Sequence, residues 1–162
     1  MIRSRKALLA CAAVLAVAGV VAAAVFIARD RRGTPAPPEL TASAQGRSIT
    51  VAPLKYCSLE LTDCADGATA ELAVPPEHPL RLTLPAAVTD APWRLIAVYR
   101  GADGKPVPEE HTYPKGGGAE ITVRSTATPP LPLSGVEIQI PSRVVDRDGI
   151  PYARGIWSIK TS

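Results

Sequence analysis

Apolar and polar residues alternate with a period of two along most of the chain. Leu40, Ala42 and Ala44 alternate with Thr41 and Ser43, and Ile49 and Val51 with Ser48 and Thr50. Period two places successive side chains on opposite faces of a strand, so each run reads as half-buried. The Gln45-Gly46-Arg47 break between them predicts a hairpin. The same pattern predicts strands at Ala70, Leu72 and Val74; at Leu80, Leu82 and Leu84; at Ile121 and Val123; and at Val136, Ile138 and Ile140. A last strand is expected over about Ala153 to Lys160, with Trp157 and Ile159 on one face.

The run Trp93 to Arg100 is apolar on both faces. Trp93, Leu95, Ala97 and Tyr99 share one face, while Ile96 and Val98 lie on the other. Such a strand is central in its sheet or covered on its second side. Pro75-Pro76, Ala102-Asp103-Gly104-Lys105, Gly116-Gly117-Gly118, Pro129-Pro130 and Asp148-Gly149 punctuate the runs as turns. No stretch after Ala28 keeps a helical period for ten residues. About eight short strands then predict an all-β fold, an immunoglobulin-like antiparallel β-sandwich, with a small barrel as the alternative. Trp93, Tyr99 and Trp157 are the expected large core side chains, because residues 39–162 contain no Phe.

The N-terminal segment follows a different rule. Ala7 to Ala28 is a run of 22 residues without a charge, long enough as a helix to span a hydrocarbon core of about 30 Å. Arg3, Arg5 and Lys6 precede it, and Arg29, Arg31 and Arg32 follow. A secretory h-region is shorter and lacks a basic stop, which favours an uncleaved signal anchor. Ala22-Ala23-Ala24 keeps open the alternative of secretion after cleavage. Leu8-Leu9-Ala10-Cys11 resembles a lipid-attachment box, but too few apolar residues precede Cys11. The expected organisation is therefore a basic segment over 1–6, a transmembrane helix over 7–28, a Pro-rich linker over 29–38 and a β-sandwich domain over 39–162. The lipid bilayer is the expected partner of residues 7–28.

Cys57 and Cys64 are the only cysteines beyond that segment. A pair downstream of an export-like segment reads as a disulfide, which places the domain outside the cytoplasm. Two free buried thiols are the other reading. Zinc is disfavoured, since His78 and His111 sit far away without ligand spacing.

The net charge of +3 would by itself suggest nucleic acid, but it is an average of two parts. Residues 1–38 hold 6 Lys+Arg and 1 Asp+Glu (+5), while residues 39–162 hold 12 and 14 (−2). The basic character belongs to the membrane flanks. The domain's bases are scattered without interleaved aromatics, so no nucleic-acid partner is expected.

Catalytic patterns are missing. No Gly-x-Ser-x-Gly elbow occurs, and His78 and His111 read as solvated loop histidines. Asp146-Arg147-Asp148-Gly149 lacks the later ligands of a calcium loop and reads as a hairpin turn. Glu109-Glu110 reads as an exposed charged loop. Lys115-Gly116-Gly117-Gly118 lacks a phosphate-loop continuation and reads as a flexible loop able to contact a ligand. No cofactor, no metal and no enzymatic activity are expected.

Ser48-Ile49-Thr50-Val51-Ala52-Pro53 leading to Lys55-Tyr56-Cys57, then Cys64, Ala91-Pro92-Trp93-Arg94-Leu95, Tyr99-Arg100 and Ala153-Arg154-Gly155-Ile156-Trp157 together resemble a family of uncharacterised actinobacterial membrane-anchored proteins classed as a domain of unknown function. The resemblance covers most of residues 39–160. It implies an exported, anchored β domain, with the cysteine pair and tryptophans as structural marks, and brings no catalytic residue. The expected function is a non-enzymatic cell-envelope module, single-pass in the cell membrane, that binds an envelope protein or polymer. An envelope-polymer hydrolase is one alternative. Another is an accessory subunit of a membrane complex, using the Ala16, Gly19 and Ala23 stripe as a helix contact.

Overall fold

The computed structural model describes residues 36–162. The expected transmembrane helix over 7–28 and its basic flanks lie outside the described residues, as does most of the linker. Among the described residues, no helix is long and apolar enough to cross a membrane. A compact unit spans Pro37–Ser162.

Eleven strands and one helical turn are present among the described residues. They are β1 Leu40–Ala44, β2 Arg47–Val51, β3 Lys55–Cys57, β4 Cys64–Asp66, β5 Ala70–Glu71, β6 Leu80–Thr83, α1 Ala86–Thr89, β7 Trp93–Arg100, β8 Pro106–Tyr113, β9 Glu120–Val123, β10 Leu133–Val145 and β11 Pro151–Lys160. One sheet has the order β2-β1-β6-β9. The other runs β4-β3-β11-β10-β7-β8, with β5 added to β11. All pairings are antiparallel except β5 on β11. The fold is all-β, a sandwich of two antiparallel sheets.

The period-two pattern sets which faces meet. Leu40, Ala42, Ala44, Val51, Leu80, Leu82 and Val123 of the smaller sheet are buried with Trp93, Leu95, Ala97, Tyr99, Ile138, Ile140, Trp157 and Ile159 of the larger one. The β1–β2 hairpin closes through Gln45 and Gly46, whose φ of 48° and 75° suit a tight hairpin turn. β7 lies between β10 and β8, as its two apolar faces predict.

Three strands are not visible in the alternation. β8 contains Glu109, Glu110 and His111, so the expected charged loop is a strand. It is the sheet's edge, and six of its eight residues are exposed, on both faces. Pro106 and Pro108 fit that position, since an edge strand can lack ladder donors. The other two, β3 and β4, are three residues each and form the arms of the cysteine hairpin. Conversely, the run at Ala70, Leu72 and Val74 forms only a two-residue strand. Its extension is carried by the Leu72 and Val74 amides donating to the Lys160 and Thr161 carbonyls at 3.0 Å each.

Register gives the sandwich two distinct ends. Gln139 faces Arg94, so β7 starts on the side toward which the β10–β11 hairpin projects. α1, the Gly116–Gly118 turn and the start of β1 belong to this hairpin end. The Gln45-Gly46 turn, the Pro75–Pro79 segment and the Pro129–Leu131 segment lie at the far end. The chain enters at Pro38, whose carbonyl accepts a hydrogen bond from Trp157 Nε1 at 2.9 Å. Pro38 thus belongs to the domain as well as to the linker.

Candidate binding cavity at the far end of the sandwich

A cavity of about 290 Å³ opens at the far end, between the segment leading into β6 and the segment joining β9 to β10. Tyr99, Val123, Leu131 and Leu133 supply its apolar wall, and Glu77, His78, Arg124 and Ser125 its polar groups. The rim is stiff for local reasons. Pro75, Pro76 and Pro130 fix three of its φ angles. Glu77 is held at φ 67°, a left-handed conformation that side chains other than Gly seldom adopt. The His78 amide donates to the Pro75 carbonyl at 3.2 Å, and its ring Nδ1 lies 3.1 Å from the Pro76 oxygen. Ser125 Oγ accepts from the amides of Ala127 (3.2 Å) and Leu131 (3.0 Å), which ties down the other lip.

The charges on this rim are uncommitted. Among the described residues, neither Glu77 nor Arg124 forms an ion pair. In the wall, burial first and the Glu109 carboxylate second push the Tyr99 phenol up to about 12, so it is a neutral donor at any physiological pH. An apolar pocket with a few fixed polar groups is the common form of a small-ligand or side-chain site.

A second depression, about 200 Å³, lies at the base of the β10–β11 hairpin. Its polar groups are already paired. Arg94 Nη1 donates to Glu110 Oε1 at 3.1 Å and Arg94 Nε to Gln139 Oε1 at 3.2 Å. Gln139 Nε2 in turn donates to Glu137. This chain of bonds braces β8, β7 and β10 across their outer face, and leaves little polar capacity for a ligand.

The other expected residues are structural in place. Cys57 and Cys64 face each other across β3 and β4 and form a disulfide. Cys57 is buried and Cys64 exposed. The loop they close is pinned by Arg143, whose amide donates to the Leu59 carbonyl at 2.9 Å. Replacing both cysteines by serine should lower the unfolding free energy by about 2.5 kcal/mol, the chain-entropy value for so short a loop. Denaturant titration checks this, and a loss below about 0.5 kcal/mol would show that the strand pairing alone holds the loop. Trp93, Tyr99 and Trp157 are each at most 1% exposed.

His111 stands in β8 opposite Leu95 and is exposed, whereas His78 reaches the cavity rim. Among the described residues no His, Cys, Asp and Glu side chains cluster as metal ligands would. The glycine loop is a correction. It is tied down, since Trp93 Nε1 donates to the Gly117 carbonyl at 2.9 Å and the Gly116 amide to the Thr89 carbonyl at 2.7 Å. Arg124 and Glu77 escaped sequence reading because a lone charge beside a turn has no pattern. The flanking Pro75-Pro76 and Pro129-Pro130 pairs were the available signal.

Residues 33–162 match the family model described as a protein of unknown function, DUF2771. The chain belongs to this family. Membership agrees with the family resemblance seen in the sequence. This DUF2771 chain is similar to the uncharacterised protein Mb0899c of Mycobacterium bovis and to the uncharacterised proteins MT0898 and Rv0875c of Mycobacterium tuberculosis. Each is 30% identical over 133 residues, 78% of either chain. No solved structure matches it. The DUF2771 match starts at Gly33, so the end of the linker belongs to the family unit with the sandwich.

Proposed function

We propose that this chain is a single-pass, membrane-anchored binding module of the cell envelope. Its immunoglobulin-like sandwich lies outside the cytoplasm and receives a protein or polymer partner in the far-end cavity. The carrying observation is that cavity: a stiff, proline-framed pocket with an apolar wall and two charges, Glu77 and Arg124, that form no ion pair among the described residues. The uncharged run Ala7 to Ala28 and the Cys57–Cys64 disulfide support the anchored, extracytoplasmic placement. Binding rather than catalysis is supported by the commitment of Ser125 Oγ to two backbone amides and of the His78 ring to a backbone oxygen.

A photo-crosslinking amino acid at position 78, in the full chain in intact cells, tests the reading. A discrete adduct is expected there, and none from the same group at position 66 on the exposed edge strand β4. Arg124→Glu should reduce the adduct about tenfold, the effect of losing one charge-assisted contact, while leaving thermal unfolding unchanged. An adduct that survives Arg124→Glu, or equal labelling from position 66, overturns it. Protease protection of intact cells checks the topology; a protected domain would remove the extracytoplasmic placement.

A further inference from the structure

The β10–β11 hairpin projects past its neighbours. β7 pairs with β10 only as far as Gln139, whereas β11 accompanies it to Val145. Of six large apolar side chains exposed among the described residues, five sit at this end: Leu59 on the disulfide loop, and Val144, Val145, Ile150 and Tyr152 on the hairpin. Val145, Ile150 and Tyr152 are 51%, 56% and 51% exposed. The tip that carries them is rigid. Asp146 Oδ1 accepts from the amides of Asp148 and Ile150, each at 2.9 Å, and Ser142 Oγ accepts from the Val144 amide at 3.1 Å. Exposed apolar side chains on both sides of a hydrogen-bonded turn, on a stiff hairpin, form an interaction surface held ready before contact.

The chain path names the occupant. β1 runs away from the hairpin end, so the polypeptide arriving from the N-terminal side enters the domain from that end, at Pro38. From Pro151 at the tip to Trp157, which holds Pro38, is six residues of strand, about 20 Å. From Arg29 to Pro37 is nine residues, a reach of at most about 30 Å for any chain of that length. A tether of that length lets the tip reach the surface from which the tether emerges.

We infer that the β10–β11 hairpin tip docks into the lipid surface of the membrane that residues 7–28 span, seating Val145, Ile150 and Tyr152 at the headgroup–acyl boundary. This rests on the anchored reading proposed above. Aliphatic side chains beside a tyrosine suit that boundary, where one part of the layer is apolar and the other wet. Arg143 is paired with Glu60 at 3.4 Å, and residues 143–152 hold two Arg and two Asp, so the hairpin segment itself has no net charge. Apolar burial drives the docking, and it is indifferent to salt and to anionic lipid.

The full chain is reconstituted in phosphatidylcholine vesicles that contain lipid spin-labelled near the headgroup. A fluorescent amino acid stands at position 150, or at position 45 in the far-end turn. Strong quenching is expected at 150 and none at 45, unchanged when salt or phosphatidylglycerol is added. Val145→Asp with Tyr152→Asp in the position-150 chain should relieve the quenching about fivefold or more, with unaltered thermal unfolding because both side chains are exposed. Vesicles that carry the chain on flotation while position 150 stays unquenched overturn the docking and leave the anchor standing. Copy-to-copy crosslinks through position 150 without quenching overturn it in favour of a second copy. A chain that fails to float with the vesicles overturns the anchored reading and this inference with it.

Discussion

Trp157→Ala should lower the unfolding free energy by about 3–5 kcal/mol, the range for removing a large aromatic from a packed core. The side chain is 0% exposed and lies where three features meet. Its ring packs edge-on to Tyr56, with centroids 6.0 Å apart at 63°, and the Arg154 guanidinium stands 5.4 Å from the centre of the same tyrosine. Its Nε1 donates to the Pro38 carbonyl, so the indole joins β11, β3 and the entering chain. Gly155 completes the seat: a Cβ there would lie 3.0 Å from Trp157 Cη2 and 2.7 Å from Ile140 Cγ1. Truncation therefore opens a cavity and frees the N-terminal entry together. Trp157→Phe separates the two effects. It keeps most of the packing but orphans the Pro38 carbonyl, and should cost about 1–2 kcal/mol. Denaturant titration gives both values. A loss below about 1 kcal/mol for the alanine variant would show that the indole is not a keystone of the core.

The period-two pattern made most of the sandwich legible because burial on one face selects it. β1, β2, β6, β7 and the buried part of β10 each alternate, and each lies over the opposite sheet. Where a strand lacks that cover the pattern goes silent. β8 is an edge strand exposed along most of its length, so Glu109, Glu110 and His111 do not alternate and resemble a loop. β3 and β4 are too short to alternate, and only Cys57 and Cys64 mark them. The far-end cavity is harder still to read. Tyr99 was expected in the core, but its place in the cavity wall depends on how two proline-framed segments far apart in sequence, 75–79 and 124–131, close over it. Nothing local in the sequence encodes that meeting.

The glycine loop shows how a permissive residue can mislead. Read as sequence, Lys115 to Gly118 looks mobile; in the fold, Gly118→Ala should cost about 2–4 kcal/mol, combining a strained backbone with overpacking. Gly118 adopts φ +72°, and a Cβ there would lie 2.7 Å from Ile121 Cδ1, 2.8 Å from Trp93 Cζ2 and 3.2 Å from Tyr113 Cδ1. Ile121 Cδ1 is the end of a side chain and can rotate aside, but the two rings cannot easily move: Trp93 is held by its bond to the Gly117 carbonyl and stacks on Tyr113 with centroids 4.1 Å apart at 9°. Gly46 provides the control within the same molecule. Its φ is +75°, nearly the same, but nothing lies within 4 Å of the added Cβ. Gly46→Ala therefore carries only the left-handed backbone cost, about 1 kcal/mol. The difference between the two variants in denaturant titration isolates the clash, and a shift in tryptophan emission for Gly118→Ala alone would report the displacement of Trp93. Equal losses at the two sites would mean that the loop yields around the methyl group. The loop would then be the mobile contact that its sequence suggests, and the hairpin end would be less rigid than its hydrogen bonds require.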